Sequence, residues 1–200
     1  MSLRTPKSLN GCKAAMALAA EPPAVPRPLG YTFPLAAGSR IQMTSNNASG
    51  EARQPAPEGQ RVAELCARAL LAADQASRSL GMRLEEARPG AATMRMTVRP
   101  DMVNGHGMCH GGIVFALADS AFAVACNTYN AVTVAAAAAI DFLAAAQVND
   151  ELTAQARELW RSKRSGIYEI VVSNQRGETV ALFRGRSHCT GGHIVPDPAA

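Results

Sequence analysis

The stretch GGIVFALADSAFAVACN, residues 111–127, constrains this chain most. It is apolar on nearly every side, and a helix that is apolar all round has to be enclosed by other elements. The flanking segments supply candidates to enclose it. Residues 60–80 place Val62, Leu65, Cys66, Leu70 and Leu71 at spacings of three to five, which predicts an amphipathic helix ending near Gly81. Residues 91–99, AATMRMTVR, alternate Met94, Met96 and Val98 with polar neighbours, which predicts a half-buried strand closed by Pro100 and Asp101.

After Asn130 the stretch AVTVAAAAAIDFL pulls both ways, since alanine favours helix while Val, Ile and Phe favour strand. Residues 151–160, 166–174 and 178–188 alternate cleanly, and NQRG at 174–177 reads as a hairpin turn. The order is therefore helix, strand, loop, long buried helix, then four strands. Strands joined by short turns pair antiparallel, so the fold class is α+β.

Residues 1–60 differ in kind. They hold eight prolines and the polar run TSNNASGEARQPAPEGQ, a composition that buries little and is expected to be disordered. Met43 stands as an alternative start. The expected organisation is an extension over 1–60, a folded domain over 61–194 and a short tail over 195–200.

The formal net charge of +4 is mild and the Lys and Arg residues are scattered, so no basic stripe announces a nucleic-acid partner. Cys12, Cys66, Cys109, Cys126 and Cys189 are odd in number and show no C-x-x-C spacing, which fits reduced thiols in a cytoplasmic protein. No uninterrupted apolar run approaches the ~18 residues of a membrane helix. The apolar residues 14–20 are too short for a convincing signal core.

Asp119 is the one side chain within the apolar helix that is charged at neutral pH by its ordinary pKa. A carboxylate buried without a partner is costly, and the cost surfaces as a shifted pKa. The residue pattern leaves four readings open: a solvated edge, a cap through Ser120, an ion pair with an arginine of another strand, or catalysis. Gly111 and Gly112 mark the helix N-terminus, where unpaired N–H groups and partial positive charge can polarise a carbonyl, or where the glycines simply make a turn. Gly111 and Asp119 lie eight residues apart, hence ~12 Å along one helix axis. One carbonyl cannot meet both groups of a single helix. If both act, two helices side by side and antiparallel must supply them, so the site is shared by two subunits.

MVNGHGMCHGGIVFALADSAFAVACN, with IDFL, GIYEIVVSNQ and TVALFRGRSH downstream, resembles the phenylacetic acid degradation thioesterases of the hotdog-fold superfamily over roughly residues 62–194. The resemblance implies a hotdog fold, in which a curved antiparallel sheet wraps a long central helix, with homodimers pairing to homotetramers. It implies hydrolysis of aryl-acyl coenzyme A thioesters such as (hydroxy)phenylacetyl-CoA, with no cofactor beyond the coenzyme A of the substrate. By the same resemblance Asp119 is general base or nucleophile, Gly111 gives the N–H that polarises the carbonyl, and Asn104 orients water or thioester. His110 and Gly112 are placed at the substrate, His110 bracing the loop.

Two departures stand out. The alanines 135–139 occupy a strand where relatives often carry a hydroxyl or thiol. Ala144, Ala145 and Ala146 stand where Arg-Pro-Gly is common. His106, Cys109, His110 and Cys126 have no recognised zinc spacing, so no metal is expected. A His–carboxylate dehydratase and a non-catalytic acyl-CoA-binding module are the alternative functions. Arg161, Lys163, Arg164 and Arg184 are either contacts for coenzyme A phosphates or ordinary exposed charges.

Overall fold

The computed structural model describes residues 57–196, so the expectations about the proline-rich segment and about Met43 lie outside the described residues. Helices α1 (Pro57–Ala73) and α2 (Gln75–Ser79) are followed by strands β1 (Arg83–Arg88) and β2 (Ala91–Thr97), and a short 3₁₀ turn spans Pro100–Met102. The long helix α3 (Gly111–Asn127) comes next, then β3 (Thr133–Phe142), β4 (Glu151–Arg161), β5 (Ser165–Ser173) and β6 (Thr179–Cys189). The six strands form one antiparallel sheet in the order β1-β2-β4-β5-β6-β3.

Three local features depart from the sequence reading. The first helix breaks at Asp74, whose carboxylate accepts from Ser77 N at 3.0 Å and so caps a new helix, α2. RLEEAR forms β1, a strand that its charged composition concealed. The alanine stretch is strand β3, the first of the four strands expected after the helix, but it pairs with β6 across the sheet and not with the next strand in sequence. Its strand state is set by that ladder with β6, which overrides the helical preference of alanine.

Helix α3 packs in the hollow of the sheet. Its buried side chains Val114, Leu117, Ala121, Phe122 and Val124 meet Met94 and Met96 of β2, Leu152 and Ala154 of β4, Tyr168 and Ile170 of β5, and Phe183 of β6. The period-2 burial of β2, β4, β5 and β6 puts one face of each on the helix. Phe122 stacks on Tyr168 and Phe183 with ring centroids 5.4 and 5.9 Å away. Gly185 lies under that ring: a Cβ there would sit 2.8 Å from it, so only glycine lets the helix settle this close to β6. Truncating Phe122 would cost roughly 3–5 kcal/mol.

The packing is one-sided at β3. Eight of its ten residues are exposed, as its burial pattern shows, and it forms an edge of the sheet. Val134, Phe142 and the following Leu143 are 48%, 53% and 58% exposed. A long, apolar, uncovered edge is a template for pairing with another strand.

Candidate functional site

The loop between the 3₁₀ turn and α3 delivers the helix N-terminus. An isolated bridge between Val103 and Cys109 closes it, with Asn104 N–H donating to Met108 O at 2.8 Å and Cys109 N–H donating to Ala146 O at 2.8 Å. Asn104 is half-buried. Its Oδ1 accepts from His106 N at 2.8 Å, which spends the oxygen on the loop and leaves the amide Nδ2 without an acceptor among the described residues.

His110 is the N-cap of α3, and its Nδ1 accepts from Gly112 N at 2.9 Å. The two residues placed at the substrate thus bind each other, and Gly112's N–H is committed. Gly111's N–H has no acceptor among the described residues. It is the unspent donor at the positive end of a helix of 17 residues, the arrangement that stabilises a developing oxyanion.

Asp119 sits midway along α3, half-buried, with no hydrogen bond or ion pair among the described residues. Burial raises its carboxyl above the ordinary aspartate value, and no cation opposes the shift. The open readings narrow accordingly. Ser120 hydrogen-bonds Ser77 Oγ at 2.8 Å and no arginine reaches Asp119, so neither capping through Ser120 nor an ion pair accounts for it. A proton acceptor with raised pKa and no partner is equipped to take a proton from water or to attack a carbonyl.

Gly111 and Asp119 lie on the same helix, as the spacing predicts, and the ~12 Å between them stands.

Phe142, at the end of β3, was not singled out from sequence. A Cβ on Gly111 would lie 3.1 Å from its ring, so the ring rests on the helix start and the glycine makes room for it. Its exposed ring is an apolar surface beside the free N–H. The signal available in sequence was the Phe-Leu pair ending an otherwise featureless alanine run.

The metal candidates are not gathered. Cys109 is buried at the start of α3 and Cys126 near its far end, and burial pushes their thiols up to about 11 and about 12. Thiols so displaced are protonated and inert at neutral pH. Among the described residues no three His, Cys, Asp or Glu side chains come together as a metal site. No helix among them is long and apolar enough to cross a membrane.

Residues 106–181 match the thioesterase superfamily. The chain is 45% identical over 129 residues to the acyl-coenzyme A thioesterase PaaI of Escherichia coli (strain K12), spanning 64% of this chain and 92% of that protein. The chain belongs to the thioesterase superfamily. It is a thioester hydrolase with the hotdog fold. The structure of the E. coli PaaI protein from the phenylacetic acid degradation operon superposes with a TM-score of 0.66 at 43% identity, covering 67% of this chain and 97% of that one. A mutant form of the phenylacetic acid degradation protein PaaI from Thermus thermophilus superposes with a TM-score of 0.56 at 35% identity, covering 58% of this chain and 99% of that one. Within this hotdog fold, α3 is the central helix and the region of superfamily similarity contains both Gly111 and Asp119.

Proposed function

We propose that this thioesterase hydrolyses acyl-coenzyme A thioesters with an aryl-acetyl preference, in phenylacetate catabolism in the cytoplasm, at a site built from two subunits. The observation that carries the reading is Asp119: a half-buried carboxyl with raised pKa and no partner, on the helix whose N-terminus holds an unspent N–H. The name of the E. coli relative supplies the acyl-coenzyme A substrate. The exposed Phe142 beside Gly111 offers an apolar surface for an aromatic acyl group.

In this reading the thioester oxygen accepts from Gly111 N–H of one chain, and Asn104 Nδ2 orients water or thioester. The partner's Asp119 either removes a proton from water as it adds to the carbonyl carbon, or adds itself to give an anhydride that water then opens. The C–S bond breaks, the thiolate of coenzyme A takes the proton, and the free acid leaves. No cofactor is required beyond the coenzyme A of the substrate.

The exposed β3 supports the dimer. Phe142 rests on Gly111 and Thr133 is bonded to Asn127, so β3 runs antiparallel along α3. A two-fold axis that brings Gly111 to the partner's Asp119 passes near Phe115 of the helix. It therefore crosses the strand near Ala139 and Ile140, and β3 pairs with its twin there. Pairs of such dimers make the tetramer.

A steady-state panel of arylacetyl, benzoyl and fatty-acyl coenzyme A thioesters tests the substrate reading. Arylacetyl thioesters should show the highest kcat/KM, and Phe142→Ala should lower it for them more than for acetyl-CoA. Absence of hydrolysis across the panel contradicts the reading.

A further inference from the structure

The connection between β3 and β4, residues 143–150, is tied to the β5–β6 hairpin at both ends. At its start Leu143 and Ala144 donate their N–H groups to Val180 O at 2.9 and 3.3 Å. At its end stands Asp150, a buried carboxylate. Its Oδ1 accepts from Gln175 Nε2 and from Arg176 Nη1, each at 2.8 Å. Its Oδ2 accepts from Gln147 N at 2.8 Å and from Arg176 Nη2 at 3.4 Å. A carboxylate this deep is tolerated because it is paired and hydrogen-bonded. The hydrogen bond from Arg176 holds its carboxyl down to about 2, so the clasp is charged at any working pH. The other half of the clasp is stiff: Asn174 Oδ1 accepts from Arg176 N at 3.0 Å and from Glu178 N at 3.1 Å, which fixes the turn that carries Gln175 and Arg176.

What Asp150 holds is one end of a single peptide unit. Gln147 N–H and the Ala146 carbonyl belong to the same planar group, so they move together. The carbonyl end of that group accepts from Cys109 N–H at 2.8 Å. Ala146 and Cys109 are both buried, and His110 N–H donates to Met102 O at 2.8 Å, so little slack remains before Gly111. Asp150 is thus linked through one rigid plane to the loop that delivers Gly111 N–H. The exposed pair Arg157–Glu169 is a useful contrast: it joins neighbouring strands β4 and β5 and ties down no loop.

We propose that Asp150, clasped by Arg176, is a positioning residue that fixes the Gly111 N–H through the Ala146–Gln147 peptide. The inference rests on the proposed function, in which that N–H receives the thioester oxygen. A donor to a developing oxyanion works by standing in place beforehand, so a small displacement of the loop lowers the rate and leaves substrate binding alone.

The test reads kcat and KM on one acyl-coenzyme A thioester, well below the Tm of each variant. Asp150→Asn keeps the volume, but either orientation of its amide turns an N–H group toward a donor and opens the clasp. It should lower kcat about tenfold with KM within about twofold, as expected for an interaction made in the transition state. Arg176→Ala, cut from an exposed position, should lower kcat about threefold, Arg176→Lys less, and Arg157→Ala not at all. The deciding comparison repeats the clasp variants on Gly111→Pro, in single turnovers at high enzyme concentration. With the donor gone there is nothing to position, so the residual rate should fall by less than about twofold. If Asp150→Asn does not fold, Arg176→Ala with and without Gly111→Pro carries the same comparison. An unchanged kcat in the clasp variants, or the full loss repeated on Gly111→Pro, overturns the proposal and leaves the thioesterase reading intact. A Gly111→Pro protein as active as wild type defeats the donor reading and the proposal with it.

Discussion

The two ends of α3 are built from the same helix and treat their polar groups in opposite ways. At the C-terminal end the polar side chains of Asn127 and Thr128 are spent. Asn127 Nδ2 donates to Ala123 O and Thr133 O, each at 2.8 Å, and its Oδ1 accepts from Thr133 N at 2.9 Å. Thr128 Oγ1 donates to Ala125 O at 2.8 Å and accepts from Gly90 N at 2.8 Å. Both residues are buried. At the N-terminal end His110 satisfies Gly112, while Gly111's N–H is left over beside an exposed phenylalanine. The closed end locks the helix to β3 and to the turn before β2. The open end leaves a donor without an acceptor among the described residues, which the proposed function assigns to the substrate. Stability and chemistry are therefore separable along one helix, and substitutions should separate them.

The largest effect is expected at Asp119. Asp119→Asn keeps the volume and removes the proton acceptor, so kcat should fall by about 10²–10⁴ with little change in thermal stability. Half-retained activity would mean that this carboxyl is not the base or nucleophile. The wild-type pH profile sharpens the point. In the proposed mechanism the active form is the carboxylate, and burial raises its pKa, so kcat/KM should fall with acid through a limb lying above the ordinary aspartate value. The limb should be absent from the residual activity of Asp119→Asn.

Asn127→Ala should do the reverse. It strands the Thr133 N–H and removes one donor from Ala123 O and one from Thr133 O, at a cost of roughly 1–3 kcal/mol, and should lower Tm while kcat stays near wild type. A large loss of kcat in a folded Asn127→Ala protein would break the division of labour between the two ends. The smallest effect is expected outside both. Deleting residues 1–42, a segment rich in proline and poor in a buriable pattern, should leave Tm and kcat nearly unchanged, as paired melting and rate measurements would show.

Much of this was legible in the sequence. The apolar run ending in Asn127 set the central helix, and Asp119 stood out as its single carboxylate. Strands β2, β4, β5 and β6 announced themselves by alternation, because one face of each meets α3. Strand β3 did not: exposed on both faces, it carries no alternation, and its pairing with β6 is a contact at long range. Phe142 was hidden for the same reason, since its neighbour Gly111 is 31 residues away and nothing local links them. The spending of Gly112's N–H by His110 was likewise invisible, because a histidine cap is read from geometry and not from spacing.

The central claim is that each active site takes Gly111 from one chain and Asp119 from the other. It is tested by mixing two inactive variants, Asp119→Ala and Gly111→Pro, where proline removes the N–H donor and leaves the carboxyl intact. Each variant is first shown to be folded by circular dichroism, and subunit exchange is confirmed by mass spectrometry of tagged chains. A mixed dimer then has one site with both defects and one with neither. Random exchange makes about half the dimers mixed, so roughly a quarter of wild-type activity should return if sites work independently. No recovery at any mixing ratio, with exchange demonstrated, would contradict the shared site.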